Sequence, residues 1–238
     1  MKLVKQILRI LYPQTCPVCG EIVMPVGELI CPGCKEKVSY IKGPTCMKCG
    51  KSVESERTEY CFDCRQLPKN YKRNLALVNY TPVISSSLSK VKYHNCRQNL
   101  DFFCEEILYS YGKIIQSWRA QALIPVPIHP SRRRKRGFNQ TEEMGKRLEE
   151  RLKIPMDCNI LFRYKKTMPQ KELSDRQRLK NLEQAFTASL DAGRKYQTVI
   201  LLDDIYTTGS TAEACTKALK RAGVKNVYML TIAIGKGM

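Results

Sequence analysis

The sequence lacks any run of about 18 consecutive apolar residues, the length at which a helix begins to span a bilayer. Residues 1–11 are not expected to act as a secretory signal peptide, because Lys2, Lys5 and Arg9 interrupt their short apolar segments. The apolar residues of that segment recur at helical spacing and predict a short docking helix instead. We therefore expect a protein without membrane insertion, whose cysteines serve as metal ligands rather than forming disulfides.

Acidic residues are scarce relative to basic ones, 22 against 41, which gives a formal net charge of +19. An excess of this size favours polyanionic partners, including nucleic acid and small phosphorylated ligands. A basic surface is also a common solubility feature, so the charge alone does not choose a partner. Aromatic residues make up only 8% of the chain and are sparse within its basic runs, which weakens a base-stacking interpretation.

The length of 238 residues and the apolar content of 43% are sufficient for one α/β domain and a small module. Strand-like segments at 75–80, 122–126, 159–164, 185–189, 198–203 and 226–234 alternate with helix-like segments at 82–93, 97–118, 139–152 and 211–222. A further helix is predicted to begin at a cap at Ser174. This alternation predicts a mostly parallel sheet flanked by helices.

Eight of the twelve cysteines form four Cys-x-x-Cys pairs at a constant spacing of 15 residues: Cys16/Cys19, Cys31/Cys34, Cys46/Cys49 and Cys61/Cys64. A Cys-x-x-Cys turn presents two thiolates to one metal ion, and two such turns complete a tetrahedral zinc site. The four pairs therefore predict two zinc ions. Because four-cysteine sites leave no open position for a substrate, we expect both ions to be structural.

The glycines indicate which pairs share a metal. Gly20 and Gly50 follow the first and third pairs, where a tight knuckle needs a residue that tolerates positive φ. The period thus reads as two units, each with a glycine-bearing knuckle, a short hairpin and a closing knuckle. This interpretation assigns Cys16, Cys19, Cys31 and Cys34 to one zinc ion, and Cys46, Cys49, Cys61 and Cys64 to the other. A cross-braced arrangement that joins the first and third pairs remains an alternative.

Residues 199–211 combine a buried strand, two acids and a loop of hydroxyls around one glycine. Asp203 and Asp204 are expected where the strand leaves the core, and ligands of open α/β sheets bind at such ends. The acids suit cis-diol hydroxyls or a hydrated magnesium ion. Residues 207–211 suit a phosphate at the start of the following helix. The alternative is a strand end before an ordinary helix, since Ser210 and Glu213 fit a capping box. A Walker-type loop is excluded, because no Gly-Lys-Ser/Thr follows the glycine.

Two further segments have the composition that phosphate chemistry requires. Residues 127–140 follow a strand and are dense in proline and arginine, and arginine forks match phosphate oxygens bidentately. Residues 163–181 are polar, basic and long enough to form a lid over a reacting centre. Each segment also fits an exposed, charged connection.

Together these motifs resemble the ComF family of competence proteins, whose domain is similar to the type I phosphoribosyltransferases that bind phosphoribosyl pyrophosphate (PRPP). The resemblance rests on the four cysteine pairs, Lys92-Tyr93-His94, Val126-Pro127-Ile128, Arg136-Gly137-Phe138-Asn139-Gln140, Thr167 with Gln170, Arg178 with Asn181, and the run from Asp203 to Thr211. It covers nearly the whole chain. It implies a double zinc ribbon with the docking helix over residues 1–68 and a phosphoribosyltransferase-like domain over 69–238.

The resemblance also implies roles for individual residues. Asp203 and Asp204 would hold the ribose, directly or through Mg²⁺, and Arg178 would act with them as a catalytic residue. The 5′-phosphate would lie on Thr207, Thr208, Gly209, Ser210 and Thr211, and the pyrophosphate on Pro127, Ile128, His129, Ser131, Arg132 and Arg133. Gln170 and Lys171 would belong to the lid.

The implied function is Mg²⁺-dependent phosphoribosyl transfer from PRPP to an unknown acceptor, in the cytoplasm, during DNA uptake and natural transformation. Candidate partners are single-stranded DNA and the DNA-uptake machinery. The alternative is a competence factor that binds single-stranded DNA and holds PRPP as a ligand without turnover, because the sequence has no recognisable acceptor-binding hood.

Overall fold

The computed structural model describes residues 13–164 and 184–235. The predicted docking helix at 1–11, the cap at Ser174, and the predicted lid and catalytic positions Gln170, Lys171 and Arg178 lie outside these residues. Within the described ranges, no helix has the length and apolar character needed to cross a membrane.

Four parallel strands form the central sheet. The strands in chain order are β1 (Asn74–Asn79), β2 (Ala122–Pro125), β3 (Leu161–Arg163), β4 (Phe186–Ala188), β5 (Thr198–Tyr206) and β6 (Asn226–Ile234). The sheet has the order β1-β6-β5-β2, and β3 and β4 form a separate antiparallel pair. The mixed α/β class with a parallel sheet is therefore confirmed. The predicted division of the chain at residue 68 stays a prediction.

Eight helices are present in the described residues. They are α1 (Pro32–Lys35), α2 (Phe62–Gln66), α3 (Pro82–His94), α4 (Asn99–Ser117), α5 (Pro130–Arg136), α6 (Gln140–Leu152), α7 (Ala192–Lys195) and α8 (Ser210–Arg221). Helix α5 lies in a segment that the sequence predicted as loop only. It is short because Pro130 at its first turn and Gly137 in the left-handed region delimit it.

Each face of the sheet carries its own core, because side chains alternate along the strands. Leu77, Ile200, Leu202 and Leu230 share one buried cluster with apolar residues of α3, α4 and α6. Ala76, Leu201 and Met229 share the other with residues of α8, β3 and β4. Helix α6, the second helix after β2, thus packs on one face, whereas α8, which follows β5, packs on the opposite face. A crevice opens between the carboxyl ends of β2 and β5, and ligands of open α/β sheets bind at such switch points.

The cysteine segment folds as two copies of one knuckle. In the first copy, the Cys16 N–H donates to Glu21 O and the Gly20 N–H donates to Cys16 O. In the second copy, Cys46, Lys51 and Gly50 make the corresponding bonds. Gly20 and Gly50 have φ values of 88° and 80°, as the glycine argument required. The closing cysteines Cys31 and Cys61 directly precede helices α1 and α2.

Candidate functional sites

Two clusters of four cysteines fit structural zinc. The Sγ atoms of each cluster lie within 4.8 Å of one another, and the clusters are Cys16, Cys19, Cys31 and Cys34, and Cys46, Cys49, Cys61 and Cys64. The first pair is therefore grouped with the second and the third with the fourth, and the cross-braced alternative is not observed. Hydrogen bonds among the thiols lower the pKa of Cys46 and raise the pKa of Cys49 and Cys64, as expected of sulfur atoms close enough to share a proton. Four sulfur ligands per site match the tetrahedral preference of zinc.

A cavity of about 310 Å³ lies at the crevice between β2 and β5, and we call it the acid-pair cavity. Among the predicted site residues, it is lined by Pro127, Ile128, Arg132, Asp203, Asp204, Thr207 and Thr211. The structure thus brings together the acid pair, part of the hydroxyl loop and part of the segment that follows β2. His129, Ser131, Arg133, Thr208, Gly209 and Ser210 do not line the cavity.

The acid pair lies inside strand β5, which continues to Tyr206 rather than ending at Asp203 as predicted. Pairing with β2 stops at Leu202, whereas pairing with β6 continues through Asp203 to Tyr206. One side of the acid pair is therefore open to the cavity while the other side is held by the sheet. The longer strand fixes the backbone of the two acids, which a loop would not do.

The two carboxyl groups of the pair have different surroundings. Asp204 is only 6% exposed, makes an ion pair with Lys92 and accepts a hydrogen bond from Gln140 Nε2 at 3.3 Å. Asp203 is half-buried, and its Oδ1 accepts from the Asp204 N–H at 2.9 Å. Burial, together with the neighbouring Asp204 charge, raises the pKa of Asp203 well above its usual range. Among the described residues no cation makes an ion pair with Asp203, although the nearby Lys92 charge partly opposes the rise in its pKa.

The hydroxyl loop precedes a helix whose first turn has no capping side chain at its N-cap. Gly209 is the N-cap of α8, with φ 76°. Glu213 does not complete the predicted capping box. Its carboxylate, in a side chain that is 4% exposed, accepts hydrogen bonds from the backbone and side-chain nitrogens of Asn70. The loop conformation is therefore compatible with an anion at the start of α8.

The basic residues of the segment after β2 differ in what they contact. Arg132 lines the acid-pair cavity, and Arg133 instead makes an ion pair with Glu142. His129 caps α5, since its Nδ1 accepts from the Ser131 N–H at 3.1 Å. Predicted pyrophosphate contacts of His129, Ser131 and Arg133 stay predictions, whereas Arg132 is positioned at the cavity.

Several residues that line the cavity received no role from the sequence: Tyr80, Lys92, Tyr93, Arg136, Gln140 and Arg163. Lys92 and Tyr93 lie in the last turn of α3. Helix α3 follows β1, and the carboxyl end of β1 lies at the same edge of the sheet as Asp203. Burial lowers the pKa of Arg163, and the nearby charge of Arg132 lowers it further. Two guanidinium groups that repel each other at a cavity wall favour a bound anion. Of these residues, Lys92 and Tyr93 could have been assigned to the cavity from the sequence, because they belong to the Lys92-Tyr93-His94 motif.

Two buried tyrosines lie between the second cysteine cluster and the hydroxyl loop. The hydroxyl groups of Tyr71 and Tyr206 are hydrogen-bonded at 2.8 Å, and both side chains are buried. Tyr71 shares its core cluster with Cys46, Cys49 and Cys64. A Cβ atom at Gly209 would overlap the Tyr206 hydroxyl, so this ring lies directly against the loop. Tyr71 and Tyr206 therefore form a packed connection from the second cysteine cluster to the hydroxyl loop.

Replacing Gly209 by alanine is expected to lower the free energy of unfolding by roughly 2–5 kcal/mol, because positive φ and overlap with Tyr206 both oppose a side chain. Urea unfolding followed by circular dichroism measures this change. Gly43→Ala is the matched control, since Gly43 has φ 72° but no atom within 4 Å of its added Cβ. The control should lose only about 1–2 kcal/mol. Equal losses in both variants would contradict tight packing of the loop.

The fold and the sites define the class of protein. It is a parallel α/β domain with a ligand-sized cavity at its switch point, joined to two four-cysteine clusters.

Residues 7–65 match the family model described as Double zinc ribbon domain. The chain is 29% identical over 180 residues to Competence protein F of Haemophilus influenzae, covering 74% of this chain and 78% of that protein. It is 26% identical to the DNA utilization protein YhgH of Escherichia coli (strain K12), covering 71% and 75%. It is 23% identical to Competence protein ComFC of Bacillus subtilis (strain 168), covering 64% and 60%. The chain is therefore similar to proteins named for competence and DNA utilization, in agreement with the ComF resemblance that its motifs indicate.

Proposed function

We propose that the acid-pair cavity binds PRPP and that the protein transfers its phosphoribosyl group, with Mg²⁺, to an acceptor in DNA uptake or DNA utilization. One observation carries this proposal. The cavity is lined by the acid pair, by Thr207 and Thr211, and by Arg132 and Arg163. Carboxylates match ribose hydroxyls, and hydroxyls and guanidinium groups match phosphates.

The proposed ligand contacts follow from this arrangement. The 5′-phosphate would lie on the hydroxyl loop at the start of α8, where backbone N–H groups favour an anion. Asp203 and Asp204 would accept hydrogen bonds from the ribose hydroxyls. The pyrophosphate would face Arg132 and the backbone of residues 127–128. The two acids also fit a hydrated Mg²⁺, because carboxylate oxygens are ligands that this ion prefers and both residues line the cavity.

In the proposed reaction, the bond between ribose C1 and the pyrophosphate oxygen breaks, and its electron pair leaves with pyrophosphate. A lone pair of the acceptor forms the new bond to C1, and the acceptor then loses its proton to solvent. Mg²⁺ would supply neutralisation of the pyrophosphate charge. The residues of the chain contribute by positioning ribose and phosphates and by stabilising the charges, so no protein general base is required.

The second candidate function is binding of single-stranded DNA, with PRPP held as a ligand and not turned over. The names of the relatives, which refer to competence and DNA utilization, support it. The net charge of +19 is also consistent with a polyanionic partner. Both candidates share the PRPP site and differ in whether pyrophosphate is released.

Two measurements test these functions in the full-length zinc-loaded protein. Isothermal titration with PRPP and MgCl₂ is expected to show saturable binding at one site per chain. Pyrophosphate release is then measured with free bases, amines and single-stranded oligonucleotides as acceptors. Binding without release would eliminate the enzyme in favour of the second candidate, and absence of PRPP binding would eliminate both. If a labelled oligonucleotide shows no mobility shift at moderate salt, the second candidate is wrong.

A further inference from the structure

A second cavity of about 390 Å³ adjoins the acid-pair cavity, and we call it the Tyr93 cavity. The two cavities share one wall, formed by Lys92, Tyr93, Arg132 and Arg136. Lys135 and Phe138 line only the Tyr93 cavity. A ligand in this cavity would therefore lie directly beside the proposed PRPP site without needing the acid pair.

Among the described residues, four cationic side chains and no carboxylate line the Tyr93 cavity. Lys92 and Arg136 have polar partners, because Lys92 is paired with Asp204 and Arg136 donates to Gln140 Oε1 at 2.6 Å. Arg132 and Lys135 are exposed and have no acidic partner among residues 13–164 and 184–235. Two adjacent cations without a carboxylate favour a phosphate group.

The same cavity presents an aromatic surface. Tyr93 is 70% exposed, although it lies in the last turn of a helix whose other face is buried. The Arg136 guanidinium lies 5.3 Å from the centre of its ring and holds the ring at the shared wall. Large exposed aromatic side chains next to cations are typical of surfaces on which nucleobases stack. Aromatic residues are sparse in the basic segments of the sequence, but Tyr93 places one aromatic ring among basic side chains in the fold.

We propose that the Tyr93 cavity is a nucleotide subsite, in which a base stacks on Tyr93 and its phosphate binds Lys135, with Arg132 in the shared wall between this phosphate and the pyrophosphate. This subsite deepens the proposed function, because it names the chemical class of the ligand beside PRPP. It rests on the proposed function only in taking PRPP as the occupant of the acid-pair cavity. A free nucleotide and a nucleotide within single-stranded DNA offer the same chemistry.

The test uses the full-length protein, with dTMP and a fluorescently labelled ten-residue oligothymidylate as the two probes. Tyr93→Ala and Lys135→Ala are each expected to weaken binding of at least one probe about tenfold, since one stacked base or one phosphate contact is lost. Tyr109→Ala and Lys113→Ala are the matched controls, because both residues are exposed on α4, and Tyr109 is 91% exposed. Both controls should bind the probes like the unsubstituted protein.

The PRPP affinity separates this subsite from the proposed function. Lys135→Ala should bind PRPP with unchanged affinity, whereas Asp203→Asn should lose PRPP binding and keep that of the probes. Binding of dTMP assigns the subsite to free nucleotides, and binding of the oligonucleotide alone assigns it to DNA. The subsite is refuted if neither probe binds, if the controls lose as much affinity as the test variants, or if Lys135→Ala weakens PRPP and the probes equally. Failure of PRPP binding alone would refute only the proposed function.

Discussion

Replacing Cys49 by serine is expected to reduce the zinc content from two ions per chain to one and to unfold the second ribbon. A serine hydroxyl is a poor substitute for a thiolate, so the cluster would be left with three effective ligands. Structural zinc contributes apparent binding free energies of about 10–16 kcal/mol, which the small core of a ribbon does not replace. Elemental analysis measures the zinc, and limited proteolysis with mass spectrometry locates new cleavage sites within residues 46–71.

The Cys49 substitution is also expected to weaken PRPP binding, because the ribbon is joined to the sheet and to the hydroxyl loop. Asn74 at the start of β1 donates to Cys49 O at 2.8 Å, and a Cβ at Gly50 would lie 2.8 Å from Asn74 O. Tyr71 packs among the cysteines of this cluster and holds Tyr206 behind Gly209. Without the ribbon, Tyr71 and Tyr206 lose the packing that positions the loop.

Cys19→Ser is the matched control for the effect on PRPP. It removes a ligand of the first cluster, whose residues pack against the opposite face of the sheet with α3, α4 and α6. Both variants should retain about one zinc ion, but only Cys49→Ser should lose PRPP affinity. Two zinc ions in Cys49→Ser, or equal PRPP affinities in the two variants, would contradict the link between the second ribbon and the hydroxyl loop.

The zinc clusters were predictable from the sequence because their determinants are local. The cysteine spacing, and the glycines that follow the first and third pairs, fixed both the knuckle conformation and the grouping of ligands. Alternating apolar segments likewise predicted the parallel sheet, since each strand of the core is buried on both faces. The boundary of β5 was less accurate, because an acid in sequence looks like a strand end even where one neighbouring strand continues beyond it.

The acid-pair cavity was only partly predictable. Asp203 and Thr207 belong to one contiguous motif, whereas Lys92 and Gln140 reach Asp204 from helices that are distant in sequence. Nothing local distinguishes Arg132, which lines the cavity, from Arg133, which pairs with Glu142. Their separation depends on the direction in which each side chain leaves α5. The Tyr71–Tyr206 contact was not predictable either, because the two residues are 135 positions apart in the sequence. Tyr71 follows the second ribbon, whereas Tyr206 ends β5.

Asp203 is expected to lower folding stability at neutral pH, which is the behaviour of a binding-site residue rather than of a structural ion pair. A carboxyl group in an unfolded chain has a pKa of about 3.9. Burial and the charge of Asp204 raise the pKa of Asp203 in the folded protein. The folded state therefore binds this proton more tightly, so its contribution to stability is greatest below about pH 4 and is lost as the pH rises through the folded-state pKa.

Asp203→Asn is accordingly expected to change stability and ligand binding in opposite directions. At neutral pH the variant should be more stable, because asparagine keeps the acceptor for the Asp204 N–H and removes a buried, poorly compensated charge. Its PRPP affinity should fall at least about 100-fold, which corresponds to losing roughly 3 kcal/mol of charge-assisted hydrogen bonding. Asp203→Asn with Asp204→Asn should abolish detectable binding. Urea unfolding between pH 4 and pH 8 and titration calorimetry measure the two properties.

Asp191→Asn is the control, because the pKa of Asp191 is lowered in the folded protein whereas the pKa of Asp203 is raised. A hydrogen bond from Ser189 and the nearby Lys195 lower the pKa of Asp191, so its contribution to stability is present at neutral pH and lost as the pH falls. This variant should be slightly less stable at neutral pH and should bind PRPP normally, because Asp191 lies outside the acid-pair cavity. If Asp203→Asn instead lost stability and kept its PRPP affinity, the acid pair would be a structural element of β5, and the ribose would have to bind elsewhere.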